Sequence, residues 1–140
     1  MRRLIVGYLG ALVVFLGLDA VWLTLTSAPL YRPALGAILA GQPRLVPAVL
    51  FYLIYLIGVI VFAVAPALEA RRWTSAAARG ALFGFFAYAT YDLTNQATMA
   101  VWATRVTILD MAWGSVVTAA GATAGYLAAS RVTPRQDAKV

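Results

Sequence analysis

Three of the five acidic residues in this chain, Asp19, Asp92 and Asp110, lie inside stretches that are long and apolar enough to cross a bilayer. A charged side chain at the centre of a membrane helix costs roughly 2.5–3.5 kcal/mol even on insertion scales, so such residues are kept where structure or function requires them. No Lys, Arg or His lies beside them at the same depth, and only Arg105 is near enough to reach towards Asp110. We therefore expect that the three acids are not all ionised together, and that they share protons, bind an external cation or perform acid–base chemistry.

Helical geometry places the three carboxyl groups in one layer. With a rise of about 1.5 Å per residue, Asp19 lies about 22 Å from the cytoplasmic start of its helix, and Asp92 lies about 20 Å from Arg79. Asp110 and Tyr52 each lie about 7–8 Å inward from the outer starts of their helices. In a hydrocarbon core about 30 Å thick these depths converge in the outer third, as expected for a site built from several helices.

Residues that share helix faces with the acids, or lie in the same polar run, complete the candidate site. The ligand-binding or proton-exchanging candidates are Asp19, Asp92, Asp110, Asn95, Tyr52, Tyr55, Tyr88, Tyr91, Trp22 and Trp113. Residues 18–22 and 109–113 share a Leu-Asp-x-x-Trp pattern, which is weak support for an internal repeat. Trp73, Trp102 and Tyr31 are predicted to be anchors at the membrane interfaces instead. A single intramembrane Asp often only hydrogen-bonds two helices together, and that structural interpretation stays open for each of the three.

Neither Cys nor His occurs in the chain. This excludes disulfides, thiolate chemistry, and zinc or haem held by the usual ligands. We predict no metal and no cofactor, although a hard cation held by carboxylates, carbonyls and hydroxyls stays open. No catalytic residue is assigned, because the sequence contains no nucleophile motif and no phosphate-binding loop.

Four apolar runs of about 20 residues, each long enough to cross a core of about 30 Å, take up most of the chain. They predict an all-α integral membrane protein, a four-transmembrane-helix bundle in one domain (1–130) with a polar cytoplasmic tail (131–140). The predicted spans cover residues 4–26, 46–68, 76–102 and 106–129. Prolines punctuate the first connection, whose centre at residues 35–39 is predicted to form a short interfacial helix. The N-terminus imitates a signal peptide, but it lacks a convincing cleavage site and is interpreted as a retained span.

The distribution of Lys and Arg predicts the topology. One side of the membrane receives Arg2, Arg3, Arg71, Arg72, Arg79, Arg131, Arg135 and Lys139, whereas the other receives Arg32, Arg44 and Arg105. By the positive-inside rule, both termini face the cytoplasm. Because these residues lie at helix ends rather than along one face, the net charge of +6 does not indicate a nucleic-acid partner.

Small residues recur at the spacing that lets helices approach closely in lipid. They are Gly7 and Gly10, Gly80 and Gly84, and Gly121 and Gly125. We interpret them as packing within one bundle, with a homodimer through one of these faces as the alternative. Four helices leave only a narrow conduit, so a transport function would favour the dimer.

Several motifs resemble those of a known family. They are Leu18-Asp19-Ala20-Val21-Trp22-Leu23, Phe51-Tyr52, Gly84 with Tyr88-Ala89-Thr90-Tyr91-Asp92-Leu93-Thr94-Asn95, and Asp110-Met111-Ala112-Trp113-Gly114. On these residues the chain resembles, over nearly its whole length, a family of small bacterial four-helix membrane proteins known as domain of unknown function 2177. The resemblance implies the four-helix fold and a place in the bacterial inner membrane, but it implies no activity.

Three functions are compatible with an acidic and aromatic pocket in the outer half of the membrane. The first is binding or transport of a cationic or polar amphiphile, coupled to protons, through charge pairing and cation–π contact. The second is a small membrane enzyme that uses carboxylic acid–base chemistry on a lipid or isoprenoid. The third is a structural or accessory subunit whose acids are interhelical hydrogen bonds. A pocket that encloses at least two of the three Asp side chains favours the first two functions, and a filled core favours the third.

Overall fold

The computed structural model describes residues 1–132, and within that range the chain forms helices and short connections but no strand. The helices are α1 (Arg2–Leu35), α2 (Leu45–Ala70), α3 (Trp73–Thr98) and α4 (Thr104–Ser130). Helices α1, α2 and α4 are long and apolar enough to cross a membrane. Helix α3 is of similar length but less apolar, since it contains the polar run at residues 91–96. Most of the predicted tail, residues 133–140, lies outside the described residues.

The first helix is longer than the sequence predicts. Pro29 has no backbone N–H to donate, and its ring would clash with the carbonyl four residues earlier in a regular helix. A π-helical turn at Ser27–Tyr31 widens the helix at this point, and Thr26 Oγ1 donates to the Trp22 carbonyl oxygen 2.6 Å away. Such adjustments satisfy the backbone groups that a proline frees, so the helix continues instead of ending. The prediction of a separate interfacial helix at residues 35–39 is therefore wrong, because α1 ends at Leu35 and residues 36–39 form a turn.

The connection between α3 and α4 begins earlier than predicted. Helix α3 ends at Thr98, and Met99 has extended backbone, although the predicted span ran on to Trp102. The Trp102 ring folds back, and its Nε1 donates to Thr107 Oγ1 at 3.0 Å. The Thr107 hydroxyl donates in turn to Gln96 Oε1 at 2.7 Å. These side-chain hydrogen bonds bridge the connection from the end of α3 to the start of α4.

Helix α4 is the central helix, because α1 and α3 both pack along it and scarcely meet each other. Gly84 of α3 lies directly against the backbone of Gly114, and Gly7 of α1 lies against the backbone of Gly125. All six glycines singled out in the sequence contact a neighbouring helix of the same chain. The prediction that they serve packing within the bundle is confirmed.

Helix α2 packs on the other helices mainly with its C-terminal half. That half is buried through Val59, Ala63, Val64 and Ala67, whereas residues 45–54 are exposed over most of their surface. A cleft therefore remains between the N-terminal half of α2 and α3. We call the end of the bundle that carries the α1–α2 and α3–α4 connections the distal end.

Candidate functional site

Asp19 of α1 is buried in the distal half of the bundle, and both of its carboxylate oxygens accept hydrogen bonds. The Tyr52 hydroxyl of α2 donates to Oδ2 at 2.5 Å. The indole Nε1 of Trp113 on α4 donates to Oδ1 at 3.2 Å. This carboxylate therefore ties three helices together, and it has the partners that a buried polar group needs.

Asp110 of α4 is also buried, and it receives its hydrogen bond from α1. The Tyr31 hydroxyl donates to Asp110 Oδ1. The same hydroxyl accepts a hydrogen bond from Trp22 Nε1 at 2.9 Å, so the three side chains form a relay. Tyr31 is the last residue of the π-helical turn, and its hydroxyl reaches across to α4.

The two Leu-Asp-x-x-Trp segments are joined reciprocally. Trp113 donates to Asp19, while Trp22 reaches Asp110 through Tyr31. The two indole rings stack on each other, with centroids 4.5 Å apart and planes within 6°. Helices α1 and α4 run antiparallel, so each tryptophan stabilises the carboxylate of the other segment. The repeated Leu-Asp-x-x-Trp pattern therefore corresponds to a reciprocal pair of Trp–Asp contacts in the fold.

Asp92 of α3 is the exception among the acids. Its side chain is 0% exposed, and neither carboxylate oxygen has a hydrogen-bond partner among the described residues. Asp110 lies near enough for the two carboxylates to interact through their charges. Buried polar groups are almost always hydrogen-bonded, and burying one without a partner costs free energy. Asp92 is thus the acid of this site that receives no hydrogen bond from the described residues.

The cleft between α2 and α3 has a volume of about 320 Å³. It is lined by Phe51, Tyr55, Ala87, Tyr88 and Tyr91, with almost no polar surface. No carboxylate lines this cleft, so it is not the acidic pocket that the sequence predicts. Tyr88 forms one wall, packs its ring on Gly114, and lies within electrostatic reach of Asp19 and Asp110. Tyr88 is therefore the cleft residue that lies near two of the carboxylates.

A family model described as predicted membrane protein, DUF2177, matches residues 4–127 of this sequence. The chain belongs to this family. No curated protein and no solved structure matches it. The family description and the three apolar helices agree on a multi-pass membrane protein. The resemblance drawn from the sequence motifs is confirmed.

In this DUF2177 chain the remaining candidates are not joined to the carboxylates. The Tyr55 hydroxyl pairs with Thr118 Oγ1 at 2.7 Å, and its ring packs on Phe15. Tyr91 is exposed and meets Trp102 edge to face, whereas Asn95 is half-buried. The site therefore contains the three acids with Tyr31, Tyr52, Tyr88, Trp22 and Trp113, while Tyr55 and Tyr91 belong to the cleft.

Tyr31 is the site residue that the sequence misses. We predicted it as an interface anchor, and the structure adds that its hydroxyl joins Trp22 to Asp110. The only signal in the sequence is Pro29, which indicates a break and not a continued helix. Arg105, the one base expected to reach towards Asp110, is exposed.

The described residues contain no group of three or more His, Cys, Asp or Glu side chains close enough to hold a metal ion. What the arrangement can do chemically follows from its acceptors. Its three carboxyl groups are buried, and an incoming proton or a positively charged donor would supply the hydrogen bonds that Asp92 lacks.

Proposed function

We propose that this protein binds a cationic amphiphile from the outer leaflet of the bacterial inner membrane. In this proposal all four helices cross the membrane as one domain of residues 1–130, and both termini face the cytoplasm. The distribution of Lys and Arg supports this orientation, and the close packing of α3 along α4 supports a fourth span despite its polar run. The distal end then faces the outside of the cell.

The chain has no cysteine, so single-cysteine variants test this topology directly. We expect Gln42→Cys and Ala100→Cys to react with an impermeant maleimide in intact spheroplasts, because both lie in distal connections. Thr74→Cys, at the start of α3, should react only after the membrane is opened. If Thr74→Cys and Ala100→Cys react under the same condition, α3 does not cross the membrane.

One observation carries the binding proposal, namely the unpartnered Asp92 carboxylate. It lies in a layer that already holds two other carboxyl groups, and an added cation offers it both charge and hydrogen bonds. The aromatic cleft opens beside this layer and offers an apolar surface for a hydrocarbon tail. Tyr88 belongs to both, so a ligand in the cleft lies next to the carboxylates.

The hydrogen bonds of Asp19 and Asp110 favour a second candidate function, a structural or accessory subunit. These two acids join α1, α2 and α4 and act as interhelical contacts. Asp92 distinguishes the binding function from the structural one, because a carboxylate with a purely structural role is expected to accept hydrogen bonds. Ligand binding therefore explains the whole set of acids better.

Binding can be measured with dodecylamine, which is a cation at neutral pH, in protein purified in an uncharged detergent. We expect saturable binding by native mass spectrometry and a change in tryptophan fluorescence, since Trp22 and Trp113 lie beside the carboxylates. Asp92→Asn should weaken binding about tenfold or more, because a buried charge pair is lost. Dodecanoate, with a chain of equal length and a negative charge, should not bind.

The matched control is Glu69→Gln, which removes one negative charge at the exposed end of α2, opposite the site. It should bind dodecylamine as the wild type does. Equal binding by wild type and Asp92→Asn would overturn the proposal and leave the structural function.

A further inference from the structure

We propose that the ligand head is a primary ammonium, a cation that donates hydrogen bonds, and not a quaternary ammonium. This inference rests on the proposed function and specifies its ligand class. It is supported by the unpartnered Asp92 carboxylate, by the nearby donors that already bond to other acceptors, and by the complete burial of Asp92.

Four donors of this layer are already committed. Trp22 donates to Tyr31, Tyr31 to Asp110, and both Tyr52 and Trp113 to Asp19. Both oxygens of Asp92 remain without a donor among the described residues. A ligand that brings N–H groups of its own as well as a positive charge therefore supplies the donors that Asp92 lacks.

A primary ammonium matches the acceptors that remain. It carries three N–H donors, and the site offers the two oxygens of Asp92, which accept no hydrogen bond from the described residues. Charge-assisted hydrogen bonds of this kind are the strong ones. A quaternary ammonium supplies the charge but no donor, so Asp92 would stay without hydrogen bonds.

The space around Asp92 leads to the same conclusion. The side chain is completely buried, and the Tyr88 ring on the same helix packs on Gly114 beside the cleft. A primary ammonium is the smaller head, so it reaches a completely buried carboxylate with less rearrangement than a quaternary ammonium does. The cleft is apolar and aromatic, which suits the tail of the same molecule.

The test compares three amines on the same protein: dodecylamine, dodecyltrimethylammonium and ethylamine. We expect dodecylamine to bind about tenfold or more tightly than dodecyltrimethylammonium, because a site built around hydrogen bonds rejects an analogue that lacks the donors. In Asp92→Asn this preference should disappear, while Glu69→Gln should retain it. Thermal unfolding of Asp92→Asn without ligand verifies that the variant is folded.

Each alternative binding result identifies which of the two proposals fails. If dodecyltrimethylammonium binds as tightly as dodecylamine, the donor inference is overturned while the proposed function stands. If neither amphiphile binds, both fail. If ethylamine competes as well as dodecylamine, the cleft holds no tail and the assignment to an amphiphilic amine is overturned in favour of a soluble one.

Discussion

Replacing Asp19 by Leu is expected to destabilise the protein, whereas the same replacement at Asp92 is expected to stabilise it. Asp19→Leu leaves the Tyr52 hydroxyl and the Trp113 indole N–H, both on half-buried side chains, without their acceptor, at a cost of about 1 kcal/mol for each donor. Asp92→Leu removes a buried carboxylate that has no donor to lose. Removal of this buried, unpartnered carboxylate should raise the free energy of unfolding by about 1–3 kcal/mol.

Thermal unfolding in detergent, followed by circular dichroism, measures both variants against the wild type. Asp92→Asn is the companion of similar volume, and it should be at least as stable as the wild type. Stabilisation on removal of a polar group is typical of a residue kept for function at some expense of the fold. A clear loss of stability in Asp92→Leu and Asp92→Asn alike would mean that Asp92 has a structural partner, and the argument for a ligand would lose its basis.

The second large effect is expected for Gly84→Ala. A Cβ at this position would overlap the carbonyl oxygen of Gly114 and lie 2.8 Å from its carbonyl carbon and 2.6 Å from Thr118 Oγ1. The obstacle is mainly backbone, so α3 and α4 must move apart. Overpacking of this kind should cost about 3 kcal/mol or more.

Gly17→Ala on α1 is the matched control, since nothing lies within 4 Å of the added methyl group. Its effect should be small and stabilising, about 1 kcal/mol at most, because alanine is the better helix former. Gly84→Ala should also lose binding of dodecylamine, because separation of α3 from α4 moves Asp92 away from Asp110. Equal stability of the two alanine variants would contradict the close approach at Gly84.

Much of this architecture could be predicted from the sequence. The helices fall close to the apolar runs, because length and hydrophobicity dominate in a chain with so few charges. The depth argument placed Asp19 and Tyr52 in one layer, and the structure joins them by a hydrogen bond. Regular helical rise is therefore sufficient to identify the layer in which the acids meet.

The rest depends on features that a pattern of residue types does not specify. A proline usually marks a helix end, so the π-helical turn at Ser27–Tyr31, and with it the role of Tyr31, could not be expected. Helical spacing gives the face of Tyr55 but not the rotation of α2 about its axis, which turns that face towards Thr118. The position of the cleft depends on the distance between the N-terminal half of α2 and α3, and the sequence does not indicate this distance.

The central position of α4 has a consequence for biosynthesis. Because α4 is translated after the other three helices, α1 and α3 wait in the membrane without the surface on which both pack. During that interval Asp19 lacks the Trp113 indole and Asp92 has no helix to cover it. The native packing of α1 and α3 therefore forms only after α4 has been made, since α4 carries the surface on which both pack.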